Sequence, residues 1–436
     1  MVDLIRQKII DSVASAVPAF TRRDVRLPAI RKKAIAVIGM RRTGKSTFLW
    51  QVLSDRLTQG ASRESLLYFG FEDDRLAGME AADLDLLVEE YYRLYPHLRE
   101  SGRGVFFLDE IQVVPGWENF ARRLLETENV DVFLSGSSAR MLSREVATSM
   151  RGRAMEALVH PFSFREYLRH LGREPDVTSD RLPKTKRSAL EKDLRDYLVN
   201  GGFPESVGAE PRDRYNLLRG YVDTALLRDV IERHEVSHPV ALRWMIRQLL
   251  GAAAGSFSIN KFYNDLRSQS IPVAKDTLHE YLGYLEDAFL IRTVSLFTGS
   301  ERRRMVNPRK VYPIDPALIP MFDQSGRANI GHALETCIML ELERRGAELS
   351  YVRNETGSEV DFIARFADGR RELIQVCADM EAQGVRDRQL RGLADAITSH
   401  RNATAHLIVL RPERPGNLPD SIHWQAASDW LLSTRV

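Results

Sequence analysis

Residues 39 to 46 read Gly-Met-Arg-Arg-Thr-Gly-Lys-Ser, the G-x-x-x-x-G-K-[ST] spacing of a phosphate-cradling loop. Each type has a chemical reason. Gly39 and Gly44 allow sharp turns. These aim the backbone N–H groups of Met40, Arg41, Arg42, Thr43 and neighbours through Thr47 at phosphate oxygens, at the positive end of a helix. Lys45 is spaced to reach the β- and γ-phosphates, and the Ser46 hydroxyl to coordinate Mg²⁺. A second element, VFFLDE at 105 to 110, ends an apolar run in two carboxylates. Asp109 is expected to hold Mg²⁺, and Glu110 to polarise an attacking water. The two elements together predict binding and hydrolysis of a nucleoside triphosphate, with ATP and Mg²⁺ as the cofactors.

Two further candidates have simpler alternatives. Ser137, in SGSS at 135 to 138, stands where a polar residue between the acidic pair and the γ-phosphate is expected; it would equally cap a helix. Arg151 and Arg153 flank Gly152, and either could reach a neighbouring subunit's γ-phosphate in a homo-oligomer, Arg153 being the preferred finger. The chain holds 62 basic residues, ten of them lysines, so a surface role for either arginine is the plain alternative.

The elements that position these residues follow from the pattern. The runs at 34–39 and 66–71 are continuously apolar, those at 105–110 and 130–136 are apolar apart from Asp109, Glu110, Asp131 and Ser135, and helical patterns follow each. Such alternation predicts a P-loop parallel α/β sheet with helices on both faces, covering residues 1–170. The first 30 residues form its helical lead-in, beginning as an amphipathic helix that carries Asp3, Arg6, Lys8 and Asp11. A helical lid is expected over 171–236. Over 237–324 the order helix, turn, helix, strand suits a winged-helix unit, and a smaller α/β domain follows over 325–436.

Composition narrows the class. Of 436 residues, 44% are hydrophobic and 28% charged, which suits a globular chain of several domains. A net charge of +2 gives no whole-molecule attraction to nucleic acid or membrane. Two cysteines are too few for a disulfide framework. No apolar run is long enough to span a bilayer, so no membrane partner and a cytoplasmic location are expected.

The chain resembles the prokaryotic AAA+-type ATPases that join a P-loop domain to a C-terminal domain of unknown function with a restriction-endonuclease-like core. GMRRTGKSTFL, FGFEDDRL, VFFLDEIQ, FLSGSSARML, PFSFREYL, NGGFPE, the LRD at 227–229, KVYPID at 310–315 and SEVDF carry the resemblance. It implies an ATPase module, a lid, a winged-helix-like unit and a nuclease-like terminus. Ser137 departs from the asparagine of many AAA+ proteins.

Restriction-type metal centres need a helical Glu, a strand Asp, then Glu-x-Lys on the next strand. Here Glu335 and Asp361 occupy the first two places, but the third reads Gln375-Val376-Cys377. No lysine follows Lys310, and arginine stays protonated, so this domain is expected to be inactive, with Cys377 a small buried hydrophobe. DNA is a second candidate partner for the C-terminal half, a protein being the other. Thr277 and His279 could face a groove, with Arg302, Arg303, Arg304, Arg309 and Lys310 as a basic stripe; a solvated linker is the alternative. Three functions are thus in view: an ATPase that rearranges its C-terminal half on a partner, a DNA-binding regulator switched by ATP, and an ATP-licensed metal nuclease.

Overall fold

The computed structural model describes residues 1–136, 150, 152–176, 181–323, 329–354, 357–378, 383–411 and 418–433. The chain forms two compact units, Met1–His160 and Pro161–Val436. Each has its own sheet.

The first unit is a parallel α/β sheet. Its strands are β1 (Ala34–Ile38), β2 (Leu66–Gly70), β3 (Gly104–Asp109), β4 (Val130–Gly136) and β5 (Ala154–Leu158), in the order β2-β3-β4-β1-β5. Every neighbouring pair runs parallel. Such strands are covered on both faces, which is why β3 is buried along its whole length. Phe107 and Phe133 stand opposite one another in register and stack at 5.1 Å. They join Val37, Phe48, Leu49, Val52 and Val105 in one core that clamps the helix Lys45–Thr58 to the sheet. The N-terminal helix Val2–Ala14 buries Ile5 and Ile9, and pairs Arg6 with Glu90 and Lys8 with Asp73, both at 2.7 Å.

β5 was not expected as a strand. Its sequence, AMEAL, is made of helix formers. The sheet edge beside β1 overrides that preference, with all five residues in register against Ala34–Ile38.

The second unit carries an eight-stranded sheet. Its strands are β6 (Ser256–Phe257), β7 (Ile291–Leu296), β8 (Arg309–Pro313), β9 (Glu348–Arg353), β10 (Glu359–Arg365), β11 (Arg371–Cys377), β12 (Ala403–Val409) and β13 (Ile422–Ala426), in the order β13-β12-β11-β10-β9-β7-β8-β6. Helices Pro239–Gly251, Ile259–Ser268 and Lys275–Asp287 precede the antiparallel pair β7 and β8. That pair does not stand alone. β7 also runs parallel to β9, through Ser295 opposite Ser350 and Leu296 opposite Tyr351, so hydrogen bonding is continuous from β6 to β13.

Two sequence motifs meet in this unit. The Gly202 N–H donates to the Asp315 carboxylate at 2.7 Å, and the Ala317 N–H to its other oxygen at 2.9 Å. A Cβ on Gly201, whose φ is +75°, would lie 1.9 Å from that carboxylate. The turn at 200–206 therefore needs glycine because an aspartate from the end of β8 fills the space.

Candidate nucleotide site

The phosphate loop leaves β1 and enters the helix Lys45–Thr58 at the carboxyl edge of the sheet, where open α/β sheets bind ligands. Its backbone is unusual where the motif demands it. Gly39 has φ of +147°, and a Cβ there would lie 2.3 Å from the Val159 carbonyl oxygen. Gly44 caps the helix with φ of +93°. Arg42, at φ of +67°, holds a left-handed conformation without being glycine, a strain of about 1–3 kcal/mol that the surrounding structure must support. Thr43 and Lys45 both donate to the Met40 carbonyl, at 3.0 and 3.1 Å. All eight positions from Gly39 to Ser46, with Thr47 behind them, thus lie on one strand-to-helix turn.

An arginine not anticipated from the sequence braces this turn. Arg23 is buried, and its guanidinium donates to the Thr43 carbonyl at 2.8 Å and to the His160 carbonyl. Its backbone is stitched to the helix by Gln51, which accepts from the Arg23 N–H at 2.7 Å and donates to its carbonyl at 3.0 Å.

Asp109 ends β3 and Glu110 follows in a left-handed conformation, φ of +55°. The strand order places β4 between β1 and β3, so a β4 side chain reaches the acidic pair. That residue is Ser135. Its hydroxyl donates to Asp109 Oδ1 and accepts from the Glu110 N–H at 3.0 Å. Gln112 donates to Glu110 Oε2. Ser137 and Arg151 lie outside the described residues. Arg153 is half exposed and ion-paired with Glu126 of its own chain.

Tyr68, on β2, completes the group. Its hydroxyl donates to Asp109 Oδ2 at 2.5 Å, the carboxylate expected to hold Mg²⁺. Burial first, then the Asp109 charge, pushes the phenol well above its ordinary range and keeps it a neutral donor. Tyr68 stacks on Trp50 of the phosphate-loop helix at 4.5 Å. Glu72, in the loop after β2, is raised above the usual carboxylate range by burial and by Glu110, while Arg41 opposes the shift. No spacing rule pointed to Tyr68, Glu72, Arg23 or Ser135. The first two lie in YFGFE, read as strand and turn: Tyr68 is a polar-tipped residue in the middle of β2, and Glu72 a carboxylate just past its end.

In the second unit the expected centre is only partly as drawn. Glu335 lies on the helix Ile330–Arg344 and Asp361 on β10, and Gln375 Nε2 donates to Asp361 Oδ2 at 2.7 Å. Cys377 is buried in an apolar core with Leu373, Leu393 and Leu407. The lysine is the correction. Lys310 arrives from β8 and contacts both Glu335 and Asp361 at 3.1 Å. A boundary near 325 had set it outside this centre; the continuous sheet brings it in. The expected basic stripe loses it for the same reason, and keeps Arg302, Arg303, Arg304 and Arg309 on and beside the short helix Glu301–Val306. There Arg304 pairs with Glu301 at 2.8 Å, and Arg309 lies 3.7 Å from Glu286. His279 is exposed and Thr277 half-buried on the helix Lys275–Asp287.

The AAA domain family matches residues 31–168, and a domain of unknown function, DUF8612, matches residues 191–327. The uncharacterized protein MJ1544 of Methanocaldococcus jannaschii is 30% identical over 90% of this chain and 86% of its own. An uncharacterized protein of Haemophilus influenzae is 31% identical over 76% of this chain and 79% of its own. Among solved structures, the Walker-type ATPase PABY2304 of Pyrococcus abyssi superposes with a TM-score of 0.42 at 14% identity, covering 73% of this chain and 95% of that one. No helix among the described residues is long and apolar enough to cross a membrane. With the phosphate loop, the parallel sheet and kinship over most of the chain in agreement, the chain belongs to the family of AAA+-type P-loop ATPases that carry a C-terminal domain of unknown function.

Proposed function

We propose that the protein is a Mg²⁺-dependent ATPase whose hydrolysis step drives rearrangement of the C-terminal half on a partner. One observation carries this reading. The phosphate loop, Asp109, Glu110, Ser135 and Tyr68 meet at one edge of one sheet, which gives both a phosphate cradle and a water-polarising carboxylate. The donor set fits the cofactor, because the Ser46 hydroxyl that opens the phosphate-loop helix and the Asp109 carboxylate that ends β3 are hard oxygens at the same edge of the sheet. When bound, Mg²⁺ would neutralise charge on the β- and γ-phosphates. Lys45 would leave the Met40 carbonyl for those same oxygens. Glu110, held by Gln112 and by its own N–H on Ser135, would orient the attacking water and take its proton. An Arg153 finger would first have to release Glu126.

A second reading, a DNA-binding regulator that uses ATP as a switch, rests on the order of elements over 239–313, which suits a winged-helix unit. Asn260, Lys275, His279 and Arg309 line one groove of it.

Phosphate release from ATP and Mg²⁺, compared between wild type and Glu110→Gln with and without duplex DNA, separates these readings. The ATPase reading expects turnover lost by at least about a hundredfold in Glu110→Gln with ATP binding retained. Equal turnover in the variant overturns the assignment of Glu110. Salt-sensitive DNA retention by the variant is the result expected for the switch.

A further inference from the structure

Gln112 stands two places after Glu110, in the Ile-Gln step that completes VFFLDEIQ. The backbone sets its position. Glu110 holds φ of +55°, a left-handed conformation that a residue other than glycine keeps only where the surrounding structure enforces it. That reversal leads into the short turn Ile111–Val113. The turn is pinned at both ends. The Glu110 N–H donates to Ser135 Oγ at 3.0 Å, and the Val113 N–H to the Glu110 carbonyl at 3.2 Å. The Val114 N–H donates to the Ile111 carbonyl at 3.0 Å, and the Ile111 side chain is fully buried. On this frame the Gln112 amide folds back and donates through Nε2 to Glu110 Oε2.

A second observation concerns the other end of that amide. An ionised carboxylate only accepts, so the end bonded to Glu110 is the NH₂ group and the carbonyl oxygen is left for another partner. Gln112 Oε1 is buried, with no hydrogen-bond partner among the described residues. The hydroxyls of Ser135 and Tyr68 cannot serve it, since both donate to Asp109. A residue needed only to hold Glu110 would be better chosen as lysine or arginine, which donate and leave no acceptor behind. A buried carbonyl oxygen without a partner is costly, and calls for an occupant that donates.

We propose that Gln112 is a second water-holding group of the ATPase, its Oε1 accepting one O–H of the attacking water while Glu110 accepts the other. This rests on the ATPase reading above. Glu110 alone fixes one O–H and leaves the water free to turn about it. With both hydrogens held, an oxygen lone pair stays aimed at the γ-phosphorus. In the step, the water oxygen bonds to that phosphorus as the bond from phosphorus to the β–γ bridging oxygen breaks, its electron pair leaving on ADP. One water proton passes to the Glu110 carboxylate. The hydrogen on Gln112 stays with the phosphate formed, because an amide oxygen is too weak a base to take it.

Two measurements on the full chain test this: ATP hydrolysis in Mg²⁺, and binding of ADP with aluminium fluoride, a mimic of the phosphoryl group in mid-transfer. Gln112→Met keeps the length and has neither donor nor acceptor; Gln112→Lys keeps a donor for Glu110 and has no acceptor. In both, kcat is expected to fall by about a hundredfold with KM for ATP nearly unchanged, and the aluminium fluoride complex to weaken by a similar factor. Retained turnover in Gln112→Lys would mean that holding Glu110 is the whole task, and overturns the proposal. So does wild-type turnover in Gln112→Met, or a loss of ATP affinity in place of a loss of kcat. The ATPase reading fails differently: absence of turnover in the wild type removes both, whereas wild-type turnover with indifferent Gln112 variants removes this inference alone.

Discussion

Tyr68→Phe isolates the contact that stands between the free and the Mg²⁺-bound phosphate site. In the structure the phenol occupies Asp109 Oδ2 at 2.5 Å, an oxygen a Mg²⁺ ion would need. A hydrogen bond to an ionised group contributes about 1.5–3 kcal/mol net. If that bond must open when Mg·ATP enters, its loss in the variant appears as tighter binding. At about 1.4 kcal/mol per factor of ten, the gain is about tenfold to about a hundredfold. The ring is retained, so its stacking on Trp50 is preserved and the fold should not change. Titration with a fluorescent ATP analogue, in Mg²⁺ and again in EDTA, reads the effect. The gain should appear in Mg²⁺ only, because the phenol competes with the ion and not with the phosphates. Equal or weaker Mg·ATP affinity would refute the reasoning, and would mean that Tyr68 stays on Asp109 as a supporting group.

Ser135→Ala removes the hydroxyl that holds Asp109 and Glu110 together; turnover is expected to fall about tenfold to a hundredfold with ATP affinity nearly unchanged, read from kcat and KM. Arg23→Ala strips two guanidinium bonds from the phosphate loop; at about 1.5–3 kcal/mol each and about 2–4 °C per kcal/mol, the melting temperature of the first unit should drop by about 6 °C or more in calorimetry. Asp315→Asn tests pH dependence. Burial pushes the Asp315 carboxyl up to about 7, against the Gly202 and Ala317 N–H groups that favour its charge. A folded pKa above the unfolded one stabilises below the unfolded value, and that contribution is lost as pH rises to about 7, at about 1.4 kcal/mol per unit. Between pH 5 and pH 8 the stability difference should therefore move in favour of the variant; a difference that stays constant with pH would contradict the burial argument.

What could be read from the amino acids divides along physical lines. The first four strands and the phosphate loop are local statements: continuous apolar runs, glycines at forced turns, a lysine and serine at fixed spacing. They were legible because parallel strands and phosphate loops tolerate few other sequences. β5 was not, since AMEAL favours a helix until a neighbouring strand offers it a full register of hydrogen bonds. Ser135 gave no signal of its own because spacing alone cannot say that a β4 hydroxyl reaches the carboxylates ending β3; the pairing of β3 with β4 brings it there. Tyr68 and Arg23 act across 41 and 20 residues of chain, distances over which no local pattern carries information. Lys310 was misread for the opposite reason. Its motif was recognised, but a supposed domain boundary kept it apart from Glu335 and Asp361.

The pairing of β7 with β9 has a practical consequence for anyone dividing this protein. A cut near residue 325, where the sequence changes character, would strip β7 of a partner and leave Ser295 and Leu296 on a raw edge. Uncapped edges of this kind recruit strands from other molecules and precipitate. The half-proteins obtained that way should be aggregation-prone on both sides of the cut. Separation after His160 breaks neither sheet, and is where soluble fragments are to be sought.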